Sequence, residues 1–235
     1  HLKFFGAGLS DLEKNTAKMQ LEGLLDILTD AKEYGSILNV ESYNWDLLRR
    51  FVAAEDTAGQ ISMDSVGVED TAEQLNRLID IGETMARKYW VTCTNPPYAG
   101  ISNLSAKVNN FVKKYYPDSK ADLFAVFIER CRAMTADNGY QAMITQQSWM
   151  SLPSFLELRK KVCHSNLIVS LLQMGSHSFD EISGEVVASV SFIFRRQYTP
   201  RYTGVFFDLQ DGMCEQEKEH MYFAGNGRYE TNQDM

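Results

Sequence analysis

The residues best suited to chemistry are four consecutive ones, Asn95-Pro96-Pro97-Tyr98, which we call the 95–98 motif. They follow a run at 89–94 whose β-branched and aromatic residues predict a strand. Because proline lacks a backbone N–H and fixes its own φ, the strand must end there and the chain must leave it extended. The motif thus presents a polar amide and an aromatic ring at the carboxyl end of a strand, where open α/β sheets bind ligands. A surface loop with two prolines is the alternative.

Composition limits the class of protein. The chain of 235 residues is long enough for one large domain, or for one domain with appendages. No apolar run reaches the roughly 18 residues that a membrane span needs, so we expect no membrane partner. The four cysteines form no CxxC pair and have no histidine at metal-ligand spacing. We therefore interpret them as reduced thiols of a cytoplasmic protein and expect no metal site.

The charge is unevenly distributed along the chain. A net charge of −8 argues mildly against a nucleic-acid partner. However, residues 1–84 hold 16 acidic and 7 basic side chains, whereas residues 85–210 hold 9 acidic and 14 basic ones. Residues 211–235 are acidic again, with 6 acidic and 2 basic side chains. The positive part of the chain is therefore the part that carries the 95–98 motif, which keeps a polyanionic partner open.

Hydrophobic periodicity predicts a helical first part and an α/β second part. In the first part, Ser10 and Glu13 form a capping box that opens a helix at 10–33. A short strand at 36–40 and helices at 44–54 and 69–88 follow. From residue 89 onward, helices and strands alternate, which predicts a parallel sheet with an antiparallel last strand. The predicted strands are 89–94, 140–145, 166–174, 186–195 and 203–209, and the predicted helices are 105–115, 119–135 and 153–163. Asn138 and Gly139 are predicted to end the second of these helices. The predicted parts are a mainly helical segment at 1–85, an α/β part at 86–210, and a polar, loosely ordered tail or start of a further segment at 211–235.

Several segments align in order behind the 95–98 motif. They are the stretches 116–124, 144–150, 174–176 and 179–187, of which the first contains Asp122-Leu123-Phe124. This ordered set resembles the adenine-specific DNA methyltransferases that use S-adenosylmethionine, and in particular the PglX-type methyltransferases of BREX phage-defence systems. The resemblance is strong over 86–210 and weaker over 1–85. It implies a partial Rossmann-like class I methyltransferase fold preceded by a helical segment.

The resemblance also implies a reaction, namely methyl transfer to the exocyclic amine of adenine in DNA. Such an amine is a poor nucleophile because its lone pair is delocalised into the ring. The Asn95 side-chain oxygen and the Pro96 carbonyl, held in a rigid frame with Pro97, would accept the amine hydrogens and localise that lone pair. The base must first be flipped out of the duplex. Tyr98 and Phe179 would then stack on its two faces, although each could instead be a packing or loop residue.

Further roles follow from the same resemblance. The family helix that lines the adenine pocket of S-adenosylmethionine corresponds to Asp122, Leu123 and Phe127, for which ordinary core packing is the alternative. Contacts with DNA would come from Gln147, just past a strand end, and from Lys113 and Lys114, which could also form a solvated helix face. The partners implied are double-stranded DNA with a flipped adenine and other subunits of a defence system.

A cofactor-binding opening is missing from the sequence pattern. Such an opening needs a buried strand, a glycine-rich turn and a helix. The segment 5–8 supplies Gly6 and Gly8, but too few residues precede it to form the strand. We therefore expect a fragment that holds the catalytic half of the domain and is inactive alone. Two other hypotheses remain: a non-catalytic interaction module that keeps the fold, and the same chemistry on a protein glutamine or on RNA.

Overall fold

Residues 5–53, 68–179 and 187–233 are described by the computed structural model, and packing divides the chain into two units, His1–Arg87 and Lys88–Met235. The first unit is helical in its described part. Its helices are α1 (Asp11–Leu28), α2 (Ala31–Tyr34), α3 (Trp45–Val52) and α4 (Val68–Ala86). The second unit contains the sheet. The predicted boundaries at residues 85 and 210 remain predictions.

The first unit corrects two details of the predicted helical segment. The predicted capping box is confirmed, because the Glu13 amide donates to Ser10 Oγ and the Ser10 amide donates to Glu13 Oε2. The predicted helix at 10–33 is broken between Leu28 and Ala31. The predicted strand at 36–40 is wrong, since Gly35–Ile37 is a 3₁₀ turn and the chain beyond it is irregular. The apolar side chains in this stretch are buried without any strand pairing, which explains the misleading pattern.

The second unit is built on a six-stranded sheet in the order β1-β2-β4-β3-β5-β6. Its strands are β1 (Tyr89–Thr94), β2 (Thr135–Gln146), β3 (Leu167–Gly175), β4 (Ser189–Arg195), β5 (Thr203–Asp208) and β6 (Arg228–Asn232). Since β1 is parallel to β2, β3 is parallel to β5, and β4 is antiparallel to both β2 and β3, four strands run in one direction. The predicted α/β fold with a mainly parallel sheet is confirmed.

The position of the antiparallel strand differs from the prediction. Strand β4 lies inside the sheet, between β2 and β3, rather than at its end. Its Val190, Phe192 and Phe194 are fully buried, and such a strand gains most from a neighbour on each side. The last strand, β6, is also antiparallel and pairs with β5.

The α-helices in the described part of this unit are α5 (Ala106–Tyr115), α6 (Leu123–Met134), α7 (Leu156–Ser165) and α8 (Glu215–Ala224). Apolar residues of α6, α7 and the sheet form one buried cluster. Within it the Phe192 and Phe194 rings stack with their centroids 4.1 Å apart. The Trp149 ring packs edge-on against Phe192, with a centroid distance of 5.7 Å and an interplanar angle of 74°. This cluster holds α6 against the sheet and so fixes where that helix begins.

One predicted helix end and the predicted loose order of the tail are wrong in this unit. Asn138 and Gly139 do not end a helix; α6 ends at Met134 and both residues lie within β2. Asn138 has a φ of +65°, and the β1–β2 register shifts at this point, so the turn-favouring pair produces an irregularity in a strand. The described tail, residues 211–233, is not loosely ordered, because α8 and β6 form there and the Tyr229 ring stacks on Phe206.

Candidate active site

Strand direction places several predicted site residues at one edge of the sheet. Strands β1, β2 and β3 run the same way, so their carboxyl ends lie at the same edge. Asn95 directly follows β1, Gln147 directly follows β2, and Phe179 lies four residues beyond the end of β3. Helix α6, which connects β1 to β2 and carries Leu123 and Phe127, begins beside the 95–98 motif through the backbone pairing described below.

The 95–98 motif presents two acceptors that no described residue of the protein uses. Asn95 and Pro97 are exposed, whereas Pro96 is buried and anchors the segment. Among the described residues, neither the Asn95 side chain nor the Pro96 carbonyl accepts a hydrogen bond from the protein. Both oxygens therefore retain their capacity to accept hydrogen bonds from a ligand.

Tyr98 is half-buried and has a fixed ring orientation. Its ring packs almost perpendicular to Phe124, at 80° with a centroid distance of 6.0 Å, and adjoins the buried cluster. Burial raises the pKa of the Tyr98 phenol above its usual value. The phenol therefore stays protonated at neutral pH.

The backbone beyond the motif is paired with the start of α6. The Leu123 amide donates to the Ala99 carbonyl at 3.0 Å, and the Ile101 amide donates to the Ala121 carbonyl at 3.1 Å. Gly100 and Asp122 form an antiparallel bridge between these two bonds. The motif is thereby fixed to α6 by groups that lie outside its four residues.

Asp122 caps α6 and also binds the segment after the motif. Its Oδ1 accepts from the Phe124 amide at 3.2 Å and from the Ala99 amide at 3.0 Å. Burial raises the pKa of the Asp122 carboxyl, and the backbone N–H groups that it accepts from oppose that rise. The sequence prediction named only a cofactor contact, which remains untested. An aspartate immediately before an apolar helical run is a recognised N-cap signal and could have revealed the structural role.

Leu123 and Phe127 form a partly exposed apolar strip on α6. They are four residues apart, so they lie on one face of the helix. Phe124, Ala125 and Ile128 on the same helix are almost completely buried. The contrast in exposure leaves Leu123 and Phe127 accessible to a ligand, although their predicted contact with a cofactor is not tested.

Gln147 contains an unpaired acceptor. Its backbone N–H donates to the Ala188 carbonyl at 2.9 Å. This hydrogen bond joins the end of β2 to the start of β4. Its side-chain Oε1 is buried and has no hydrogen-bond partner among the described residues. The neighbouring Gln146 differs, because its Oε1 accepts from Ser148 Oγ at 3.4 Å. Trp149, which lies in the same turn, is buried and donates to Thr145 Oγ1, so it belongs to the core.

No hydrogen bond or ring contact among the described residues joins the remaining predicted residues to the motif. Phe179 is 39% exposed, and residues 180–186 beyond it lie outside the described part of the chain. Lys113 and Lys114 are exposed in the last turn of α5, and no described carboxylate lies within ion-pair distance of either. Within the described residues, hydrogen bonds and ring contacts join Tyr98 and Ala99 to α6, but none joins Phe179, Gln147 or these lysines to the motif.

The glycine segment 5–8 does not follow a strand in the described structure. The Gly6 amide donates to the Phe51 carbonyl at 2.8 Å, and Phe5 packs on the Phe51 ring. Gly6 and Gly8 both have positive φ values, so the segment is a turn held on α3. Before β1, the described residues include no strand. The expectation that this segment is a poor cofactor loop stays a prediction, because residues 1–4, where a preceding strand would lie, are outside the described part.

Neither a metal cluster nor a membrane-spanning helix occurs in the described ranges. The residues there contain no group of three or more His, Cys, Asp or Glu side chains arranged to hold a metal ion. None of their helices has both the length and the apolar character needed to span a membrane.

Comparison with known proteins identifies the family. Residues 4–179 match the family described as Eco57I restriction-modification methylase. The chain belongs to this family. It is 37% identical over 195 residues to the adenine-specific methyltransferase PglX of Lacticaseibacillus casei (strain Zhang), a match that covers 82% of this chain and 16% of the relative. It is 28% identical over 217 residues to the adenine-specific methyltransferase BrxX of Escherichia coli O9:H4 (strain HS), covering 92% of this chain and 18% of the relative. The resemblance inferred from the sequence is confirmed, and the chain spans less than a fifth of the length of these relatives.

A solved structure agrees with the fold. A nuclease-deletion mutant of the Type ISP restriction-modification enzyme LlaGI, in complex with a DNA substrate mimic, aligns with a TM-score of 0.50. The alignment covers 68% of this chain and 18% of that chain at 14% identity, so it concerns the fold alone. Together with the family, it confirms the predicted methyltransferase fold class for this chain.

Proposed function

We propose that this chain contributes the methyl-transfer edge of an adenine-specific DNA methyltransferase, acting in restriction-modification or phage defence in the cytoplasm. The observation that carries the proposal is the 95–98 motif at the carboxyl end of β1, with two acceptors that the described protein leaves unused. The family match and the printed names of the two relatives support adenine as the target base.

The chemistry follows from the two acceptors. The amine hydrogens of the base bind the Asn95 side-chain oxygen and the Pro96 carbonyl, which concentrates the amine lone pair on nitrogen. As the new bond to the methyl group formed and the methyl–sulfur bond of the donor broke, positive charge would develop on that nitrogen, and the same two oxygens would stabilise it until one N–H proton passed to water. The prolines contribute rigidity, because their φ angles are fixed before the base arrives. No side chain with a shifted pKa is required before transfer.

The target base requires stacking surfaces once it leaves the duplex. Tyr98 supplies one, since Phe124 already holds its ring and little rotamer entropy is lost on binding. Phe179 supplies the second from the segment after β3, where its ring is exposed. Gln147 offers a buried acceptor at the same edge, suited to an N–H donor of the base or of the DNA. Lys113 and Lys114 provide positive charge for the phosphate backbone.

S-adenosylmethionine supplies an electrophilic methyl group when it is bound. The partly exposed apolar pair Leu123 and Phe127 fits one face of its adenine ring, and Asp122 fixes the helix that carries them. The described residues before β1 contain no strand–glycine turn–helix unit, so contacts with the ribose and the methionine moiety are not assigned to them. Other defence-system subunits are further proposed partners.

Methyl transfer to duplex DNA tests the proposal. The assay uses the natural full-length protein that contains this sequence, a mixed duplex substrate and a radiolabelled methyl donor, with mass spectrometry to identify the product base. Asn95→Ala should lower the rate by about 10²–10³-fold, the usual loss when one preorganised charge-stabilising group is removed. Tyr98→Ala should weaken base binding.

Matched controls come from the same unit. Asn226→Ala removes an exposed amide in the turn between α8 and β6, and Phe223→Ala removes an exposed ring of α8. Both should retain activity. Undiminished transfer by Asn95→Ala would refute the mechanism. A wild-type protein that binds DNA without transferring methyl would favour the non-catalytic module, and transfer only to RNA or protein would replace DNA as the substrate.

A further inference from the structure

One carboxylate oxygen joins two parts of the proposed site. Asp122 Oδ1 accepts from the Ala99 amide, which directly follows the 95–98 motif, and from the Phe124 amide in the first turn of α6. That helix carries Leu123 and Phe127, the proposed wall of the cofactor pocket. The same atom therefore contacts the segment that presents the amine acceptors and the helix that faces the methyl donor.

A contact between two aromatic rings also joins the motif to α6. The Tyr98 ring packs on the Phe124 ring, and Phe124 is also the residue whose amide reaches Asp122. A movement of Ala99 relative to α6 would therefore shift the Tyr98 ring and, at the same time, stretch the hydrogen bond from the Ala99 amide to Asp122. Two backbone bonds, from Leu123 and from Ile101, reinforce the pairing but do not involve the carboxylate.

We propose that Asp122 is a positioning residue for methyl transfer, which sets the register between the amine-binding motif and the cofactor-facing helix. The proposal rests on the proposed function. It accounts for a hydrogen-bond acceptor at a half-buried position that backbone N–H groups of two chain segments reach. A simple helix cap requires one acceptor for the helix, whereas this oxygen also binds a second chain segment.

Substitution separates positioning from capping. Asp122→Ala removes the shared acceptor, and Asp122→Asn keeps an oxygen in the same place without the charge. The matched control is Ser105→Ala, because Ser105 Oγ accepts from the Val108 amide and caps α5 in the same unit without contacting the motif. Because Asp122 accepts from two backbone amides and Ser105 from one, Asp122→Ala should lower the melting temperature at least as much as Ser105→Ala.

The expected kinetic result is specific to Asp122. A small misplacement of reacting groups costs up to about a hundredfold in rate, so Asp122→Ala should lower kcat by about tenfold to a hundredfold while the KM for DNA changes little. Asp122→Asn should recover most of the rate. Ser105→Ala should keep its kcat. Equal losses of kcat in Asp122→Ala and Ser105→Ala would show that Asp122 acts only as a cap and would overturn the proposal.

Hydrogen exchange gives a second readout that does not require activity. In the natural full-length protein, Asp122→Ala should speed amide exchange in the peptide spanning 95–101, and Ser105→Ala should leave it unchanged. Unchanged protection in Asp122→Ala would refute the positioning role even if the enzyme were inactive. Absence of methyl transfer by the wild type, with faster exchange in Asp122→Ala, would instead overturn the proposed function and leave the structural link supported.

Discussion

Replacing Gln147 by methionine should make the protein more stable and less active. Its Oε1 is buried and has no hydrogen-bond partner among the described residues. A buried polar group left without a partner costs about 1–3 kcal/mol. Methionine has a similar length and no amide, and the backbone bond from residue 147 to Ala188 does not depend on the side chain. Because Gln147 is only partly buried as a residue, we expect the lower end of that range, a gain of about 1 kcal/mol in the free energy of unfolding.

Urea denaturation at neutral pH measures this gain, and calorimetry should show a rise in Tm of about 2–4 °C for a chain of this length. The matched control is Gln146→Met. The side-chain oxygen of Gln146 already accepts a hydrogen bond from Ser148 Oγ. Removing this oxygen should therefore leave the free energy of unfolding unchanged or slightly reduced. The comparison cancels the general effect of a methionine at this turn, because the two positions are adjacent.

Activity provides the other half of the test. If Oε1 binds a donor of the target base or DNA, Gln147→Met should lower methyl transfer while Gln146→Met does not. A Gln147→Met protein no more stable than Gln146→Met would show that the oxygen already has a donor, and the reason for placing a ligand there would disappear. A more stable protein with full activity would remove Gln147 from the proposed site. Gain of stability with loss of function is the pattern expected of a group retained for binding.

Two further predictions concern charge and titration. Burial raises the pKa of Tyr116 to about 12. In the unfolded chain this phenol loses its proton near pH 10, so the free energy of unfolding should fall between pH 10 and 12 by about 1.4 kcal/mol per unit, and Tyr116→Phe should remove that part of the slope in alkaline denaturation. Lys113→Gln and Lys114→Gln should each weaken DNA binding and reduce the dependence of log K on log salt by about 0.9 for each phosphate that is no longer neutralised; an unchanged salt slope would mean that these lysines only solvate α5.

The elements that the sequence pattern located are those with a local signal. The β-branched residues of β1 indicate the strand, and Pro96 marks its end. The Ser10 capping box marks the start of α1. The order of the strands was not accessible, because insertion of β4 between β2 and β3 depends on pairing between segments far apart in sequence. Strand β6 is polar and mostly exposed, so only its pairing with β5 identifies it.

The candidate site divides in the same way. The position of the 95–98 motif at a strand end could be predicted from its residue types, whereas its chemistry is implied by the family resemblance and stays a prediction. The buried Gln147 Oε1, which has no hydrogen-bond partner among the described residues, could not be predicted, because burial of a side-chain atom just beyond β2 is a tertiary property. Asp122 was predicted through family resemblance as a cofactor contact, and the structure adds bonds to two backbone amides that no pattern around the motif specifies.

The arrangement separates the groups that hold the motif from the groups that could react. The motif is held by the Tyr98 ring and by the backbone pairing after it, between Ala99 or Ile101 and the start of α6. Among the described residues, none of these contacts uses the Asn95 amide or the Pro96 carbonyl. An acceptor that also held the fold could bind an amine only by giving up a structural bond, which would cost binding energy at each turnover. Leaving both acceptors unpaired while fixing their frame from outside is the condition that preorganised stabilisation of a developing charge requires.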